Sequence, residues 1–124
     1  MEPKDNFKPG GIVFMKSEMP GELKSFYMEK VGAELWLDQG PCQIYKFGNM
    51  LFGFCNGEPP SMDGVITFFY PTRKEVDKMY EKLYDIATTN VKMNNKFNIY
   101  HFYARDPEGR SIEFQFFNHS LKAY

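Results

Sequence analysis

With 124 residues, 43% of them hydrophobic and 25% charged, and a formal net charge of −1, the chain has the balance of one globular domain able to bury its own core. So small a net charge gives no general attraction to phosphate backbones or anionic lipid, and no apolar run approaches membrane-spanning length, so nucleic acid and membrane are poor first expectations. The run Met1 to Gly10 is charged and broken by Pro3 and Pro9, unlike a signal peptide, which makes a cytoplasmic address the default.

In chain order, the patterning predicts a strand over Gly11 to Lys16, a helix over Pro20 to Val31, and strands near Ala33 to Asp38, Cys42 to Phe47 and Met50 to Cys55. A loop containing Gly57, Pro59 and Pro60 follows, and the order begins again. Val65 to Tyr70 reads as a strand and Arg73 to about Ala87 as a helix, opened by the capping box Thr72-x-x-Glu75. A short strand near Val91 to Met93 and a closing hairpin complete the second half. A shift of 53 positions superposes Gly11 on Gly64, Leu23 on Val76, Phe26 on Met79 and Tyr27 on Tyr80, helix-core positions at spacings of three and four. Each half therefore reads strand, helix, three strands, with module 1 at about 11–56 and module 2 at about 64–118.

Two turns set register. If Gly48-Asn49 is the two-residue turn its composition suggests, Phe47 pairs with Met50 and Cys42 falls opposite Cys55. That pair could close a disulfide under oxidation; in a reducing cytosol two small buried thiols are the expectation. Phe52, Phe54, Tyr45 and Gln43 then share a face that the sequence assigns neither to cup nor to core. In the closing hairpin, Asp106-Pro-Glu-Gly109 suits a type I turn followed by a left-handed glycine, so that Asp106 pairs with Arg110. Counting outward sets Tyr103 opposite Glu113 and His101 opposite Gln115. One face then carries Tyr100, Phe102, Ala104, Ile112, Phe114 and Phe116 and belongs against helices. The other carries His101, Tyr103, Arg105, Glu113, Gln115 and Phe117, the lining of a wet cleft. The 18% aromatic content is accounted for equally well by a Phe-rich core and by an aromatic pocket.

Phe26-Tyr27 followed by Val31-Gly32, and the closing Arg105-Asp-Pro-Glu-Gly-Arg-Ser-Ile-Glu-Phe, resemble the first-helix and last-hairpin motifs of the vicinal oxygen chelate superfamily, the glyoxalase, bleomycin-resistance and extradiol dioxygenase group. The resemblance runs from Gly11 to Phe117. It implies an α+β fold of two tandem βαβββ modules whose curved mixed sheets form a cup with helices outside, and a homodimer. It also implies, for the enzymes of the group, a divalent metal held by His, Glu or Gln from the first strand of each module and the last strand. Glu113 matches the last-strand glutamate. The first-strand places fall at Gly11 or Ile12 and at Gly64 or Val65, none of which ligates through its side chain, so the usual site is expected to be missing and no cofactor is expected. A nonstandard cluster of Glu113, Gln115 and His101 is sterically conceivable; His119 reads as a solvated tail residue and Asp63 as a turn residue.

The strand Ala33 to Asp38 alternates, with Leu35 and Leu37 on one side and Glu34, Trp36 and Asp38 on the other. On that reading Trp36 stands in the cup between two acids, suited to a cationic or aromatic ligand; at a subunit interface the same Trp serves packing instead. The resulting expectation is a metal-free small-molecule-binding protein resembling the bleomycin-resistance branch, with ligand contacts from Glu34, Trp36, Asp38, His101, Tyr103, Arg105, Glu113, Gln115 and Phe117. The alternative is a metal-dependent lyase, isomerase or dioxygenase of the glyoxalase type, with Glu113 and Tyr103 as its catalytic candidates. Single-stranded nucleic acid binding by an aromatic sheet is a third and weaker reading.

Overall fold

The computed structural model describes residues 8–123; most of the charged run from Met1 to Gly10, read above as unlike a signal peptide, lies outside the described residues. Module 1 consists of β1 (Ile12–Ser17), α1 (Pro20–Ser25), β2 (Glu34–Asp38), β3 (Cys42–Phe47) and β4 (Met50–Asn56). Module 2 repeats it with β5 (Ile66–Phe69), α2 (Arg73–Lys82), β6 (Lys92–Asn94), β7 (Ile99–Arg105) and β8 (Ser111–Phe117). The two four-stranded sheets run β1-β4-β3-β2 and β5-β8-β7-β6, each with its first and last strands parallel and its other pairs antiparallel. The mixed α+β architecture and the repeat of the unit are as the sequence predicts. Among the described residues no helix is long and apolar enough to cross a membrane.

The first helix changes pitch where its aromatic residues begin. Pro20, free of the need to donate a backbone hydrogen bond, starts α1, and Phe26–Val31 continues it with the wider π spacing. Gly32, at φ +91°, stops it, its N–H bonded to the Tyr27 carbonyl. The π turn carries Phe26, Tyr27 and Val31 all onto the buried side. The second helix is shorter than its sequence pattern. Thr72 caps it by accepting from the Glu75 N–H, but it ends at Lys82, and a single 3₁₀ turn at Tyr84–Ile86 carries the chain onward.

The aromatic content mostly builds the core. Tyr27 stacks on Phe54 at 5.4 Å between ring centres, and Phe114 stacks on both Phe68 and Phe102, at 5.3 and 5.1 Å. Phe68 of module 2 also meets Phe47, Phe52 and Tyr27 of module 1, so one aromatic cluster joins the two units. Tyr45, Phe52 and Phe54 are each 1% exposed within it, which assigns the face that the sequence left open to the core. On the opposite face of β4, Gly53 receives the Phe14 ring: a Cβ there would stand 3.0 Å from that ring and 3.1 Å from the Gln43 carbonyl.

Two expectations about module 1 are corrected. Cys42 lies opposite Cys55 as the turn requires, but the two form a disulfide rather than remaining thiols, with Cα atoms 4.0 Å apart. The strand β2 does not alternate cleanly. A register shift between Leu35 and Leu37 places Leu35 against Tyr45, in the core, and Leu37 against Ile44, on the other face. Trp36 sits at the bulge itself, 43% exposed. The simple alternation that grouped Glu34, Trp36 and Asp38 is therefore interrupted at Trp36.

Candidate functional site

The site is built by the hairpin of β7 and β8. Its loop closes as the residue types dictate, with the Asp106 N–H on the Arg110 carbonyl, the Gly109 N–H on the Asp106 carbonyl, and Gly109 at φ +87°. This loop fixes Arg105 opposite Ser111, Tyr103 opposite Glu113 and His101 opposite Gln115, the register expected from sequence. On the helix face Phe102, Ala104, Ile112 and Phe114 are fully buried.

On the other face His101 Nδ1 lies 2.6 Å from Glu113 Oε2, and the Thr67 hydroxyl donates to Glu113 Oε1 at 2.9 Å. His101 is 3% exposed and Glu113 8%, so the carboxylate has exchanged water for these two donors. With the carboxylate accepting at Nδ1, the proton of a neutral ring resides on Nδ1 and Nε2 carries a lone pair. Nε2 is buried and has no hydrogen-bond partner among the described residues. A buried polar atom left in that state costs about 1–3 kcal/mol, which a partner would recover.

An open cleft of about 590 Å³ lies over these groups. His101, Tyr103, Glu113, Gln115 and Phe117 line it together with Thr67, Asn94, Phe97, Ile99 and His119. Burial, followed by the neighbouring Glu113 charge, pushes the Tyr103 hydroxyl above its ordinary pKa. Five of the sequence-derived site residues are thus brought together. Arg105 is exposed and donates to the Gly109 carbonyl at the hairpin end, away from the cleft lining. Glu34, Trp36 and Asp38 belong to the edge strand of the other sheet and do not line the cleft. Asp38 is engaged locally, its carboxyl held below the usual range by the Gly40 N–H and then by Gln43.

Sequence reasoning missed several lining residues. Thr67 enters because β5 runs parallel to β8 with Thr67 opposite Glu113, a long-range register that no turn announces. Phe97 enters from the β6–β7 connection and stands 60% exposed at the cleft. His119, read as a tail residue, folds back to line the cleft, with its ring 6.1 Å from that of Phe117.

No family model matches the sequence, and no curated protein matches it. Solved structures do. A lactoylglutathione lyase from Agrobacterium tumefaciens superposes with a TM-score of 0.70 at 19% identity, covering 88% of this chain and 95% of its own. A glyoxalase/bleomycin resistance protein/dioxygenase from Alicyclobacillus acidocaldarius gives 0.72 at 15% identity, covering 90% and 92%. An enzyme of that same description from Burkholderia phytofirmans gives 0.74 at 14%, covering 85% and 95%. The chain has the glyoxalase/bleomycin-resistance/dioxygenase fold.

Within the glyoxalase-type fold, the metal that the sequence resemblance implies can be tested against the side chains present. The residue facing Glu113 from the first strand of module 2 is Thr67, not Gly64 or Val65 as the sequence count expects. The same parallel register in module 1 faces Phe14 against Gly53 instead of presenting Gly11 or Ile12. Phe14 and Gly53 offer no donor, and both Glu113 oxygens already accept hydrogen bonds. Among the described residues no three His, Cys, Asp or Glu side chains come together. A catalytic divalent metal normally needs at least three protein ligands, and this donor set does not fit one. Asp63 lies instead beside the apolar seam between β1 and β5, with Val13, Met15 and Val65.

Proposed function

We propose that this protein binds a small aromatic molecule in the module 2 cleft, without a metal, and acts by sequestration or sensing in the manner of the bleomycin-resistance branch of its fold. The observation that carries the reading is the cleft itself: about 590 Å³, in the range of small-molecule sites, with aromatic walls and a few convergent polar groups over the His101–Glu113 pair. Phe97, Phe117 and Tyr103 supply flat apolar surface for a ring. Thr67, Asn94 and Gln115 supply orienting hydrogen bonds. The cationic ligand expected from Trp36 between two acids has less support, since those three residues lie outside this cleft.

With this reading goes a homodimer, which sedimentation checks directly; a cytoplasmic setting goes with it only if the Cys42–Cys55 bond persists against cellular reductant. The function is tested by metal analysis of protein purified without chelators or a histidine tag, together with a thermal-shift screen of aromatic compounds. Aromatic ligands that raise the melting temperature of metal-free protein support the reading. Near-stoichiometric metal that Glu113→Ala releases would replace it with the lyase, isomerase or dioxygenase alternative.

A further inference from the structure

The polar end of the cleft has a chemical preference written into it. Glu113 is held from one side by the Thr67 hydroxyl and accepts His101 Nδ1 on the other, so the imidazole is fixed both in orientation and in which nitrogen is committed. In the neutral ring the uncommitted Nε2 is a lone pair, and the atom is buried with no partner among the described residues. It calls for a donor, and the surrounding wall is aromatic: Tyr103 packs edge-on against the His101 ring at 5.4 Å, and Phe97 and Phe117 line the same cleft.

We propose that the cleft takes a planar ring carrying a phenolic hydroxyl, with the hydroxyl seated on His101 Nε2 and the ring lodged against Tyr103, Phe97 and Phe117. This rests on the cleft being the ligand site. A phenol matches Nε2 with the proton on either atom. As O–H···N it donates to the neutral ring; as O⁻···H–N⁺ it accepts from an imidazolium whose other N–H remains on Glu113. A methyl ether presents only lone pairs to a lone pair and leaves Nε2 unsatisfied. A carboxylate meets the same lone pair with the Glu113 charge directly behind it. Sites that hydrogen-bond a hydroxyl reject the analogue without one, because a buried group is then left unpaired.

The test is equilibrium dialysis of the full-length protein against three probes of nearly equal size: 4-chlorophenol, 4-chloroanisole and 4-chlorobenzoate. The phenol is expected to bind at least roughly tenfold more tightly than either other probe, the worth of one well-placed hydrogen bond. His101→Phe should erase that preference, bringing the phenol and anisole affinities together. Glu113→Gln, whose amide no longer forces the proton onto Nδ1, should reduce the preference. Equal binding of phenol and anisole to the unmodified protein overturns the hydroxyl assignment and leaves the cleft as an aromatic site. Preference for the benzoate also overturns it, in favour of an anion site. If none of the three binds, the proposal falls, and failure of the wider aromatic screen would remove the ligand reading with it. Because the decisive comparison uses unmodified protein, a variant that fails to fold does not affect it.

Discussion

The hydroxyl of Tyr27 donates a 2.7 Å hydrogen bond to Asp106 Oδ2, across 79 residues of chain. Arg110 Nη1 reaches the same oxygen at 2.8 Å, while its guanidinium lies over Phe54 at 4.9 Å and also donates to the Ser61 and Lys16 carbonyls and to Glu108. Tyr27 of the first-helix aromatic pair and the Asp-Pro-Glu-Gly-Arg hairpin are therefore two halves of one buried clasp between the modules. Their joint presence in the sequence has a mechanical reason.

Removing one hydroxyl from this clasp has a definite expected cost. Tyr27→Phe keeps the ring packing and leaves Asp106 with Arg110, so a loss of about 1–3 kcal/mol is expected from chemical denaturation. Asp106→Ala strands the 1%-exposed Arg110 with a weakened set of acceptors and should cost more, about 3–5 kcal/mol. If the two variants unfold at the wild-type denaturant concentration, the clasp contributes nothing to stability.

The buried tyrosines make a statement about alkaline pH. Burial, then the Asp106 charge, holds the Tyr27 hydroxyl far above its ordinary range, and burial followed by Asp38 pushes Tyr45 up to about 12. An unfolded tyrosine ionises near about pH 10, so above that value the native state retains protons that the unfolded state has lost. Stability from these groups is fully present below about pH 10 and falls as pH rises toward their folded values. Denaturation midpoints should be flat below about pH 9 and decline above about pH 10, and the part of the tyrosinate absorbance that Tyr27→Phe and Tyr45→Phe remove should rise only as the protein unfolds. Tyrosinate formation by Tyr27 or Tyr45 at full native circular dichroism would contradict this.

What the sequence disclosed and what it withheld divide along local and long-range register. Gly48-Asn49 and Asp106 to Gly109 are turns whose residue types admit few geometries, and both neighbouring strand pairs came out in the expected register. Glu113 opposite Tyr103 and His101 opposite Gln115 followed, and with them half of the cleft. The pairing of β5 with β8 joins residues 46 apart, Thr67 and Glu113, and no local signal fixes it. The bulge at Trp36 is similarly silent, since Glu-Leu-Trp-Leu-Asp reads as perfect alternation, and a single extra residue flips everything after it. Phe97 and His119 lie in irregular chain whose path depends on the completed sheet.

The disulfide can be checked apart from the fold. Peptide mapping without reductant should recover the segments around Cys42 and Cys55 as one linked species. Because the turn and strand pairing already restrain the 13-residue separation, replacing both by serine should cost on the order of 2 kcal/mol, the low end for a loop of that size. Two free thiols by alkylation under non-reducing conditions would instead restore the reading of a reduced pair.

Gly53 offers a steric test of module 1. Gly53→Ala would press a methyl against the Phe14 ring at 3.0 Å and the Gln43 carbonyl at 3.1 Å. The ring, 48% exposed, can turn aside, but the carbonyl is part of the β3 backbone. A loss of about 1–2 kcal/mol is expected, and Phe14→Ala in the same chain should return part of it by clearing the ring contact. Additive losses from the two substitutions would show that the ring and the glycine do not depend on one another.

Trp36 and His101 give opposite forecasts for any ligand the protein is found to bind. Trp36 stands at the bulge of an edge strand in one sheet, and the cleft is lined by residues of the other module. If the cleft is the site, Trp36→Ala should leave affinity within about twofold, since a distant, exposed side chain contributes little beyond local packing. His101→Phe in the same assay should lower affinity for a hydroxyl-bearing ring by roughly tenfold or more. The reverse pattern, with binding lost on Trp36→Ala and kept on His101→Phe, would move the site to the edge of module 1. There Trp36, Leu37 and the neighbouring acids would form a surface completed by a second chain, at the kind of subunit interface where the sequence also allowed Trp36 to pack.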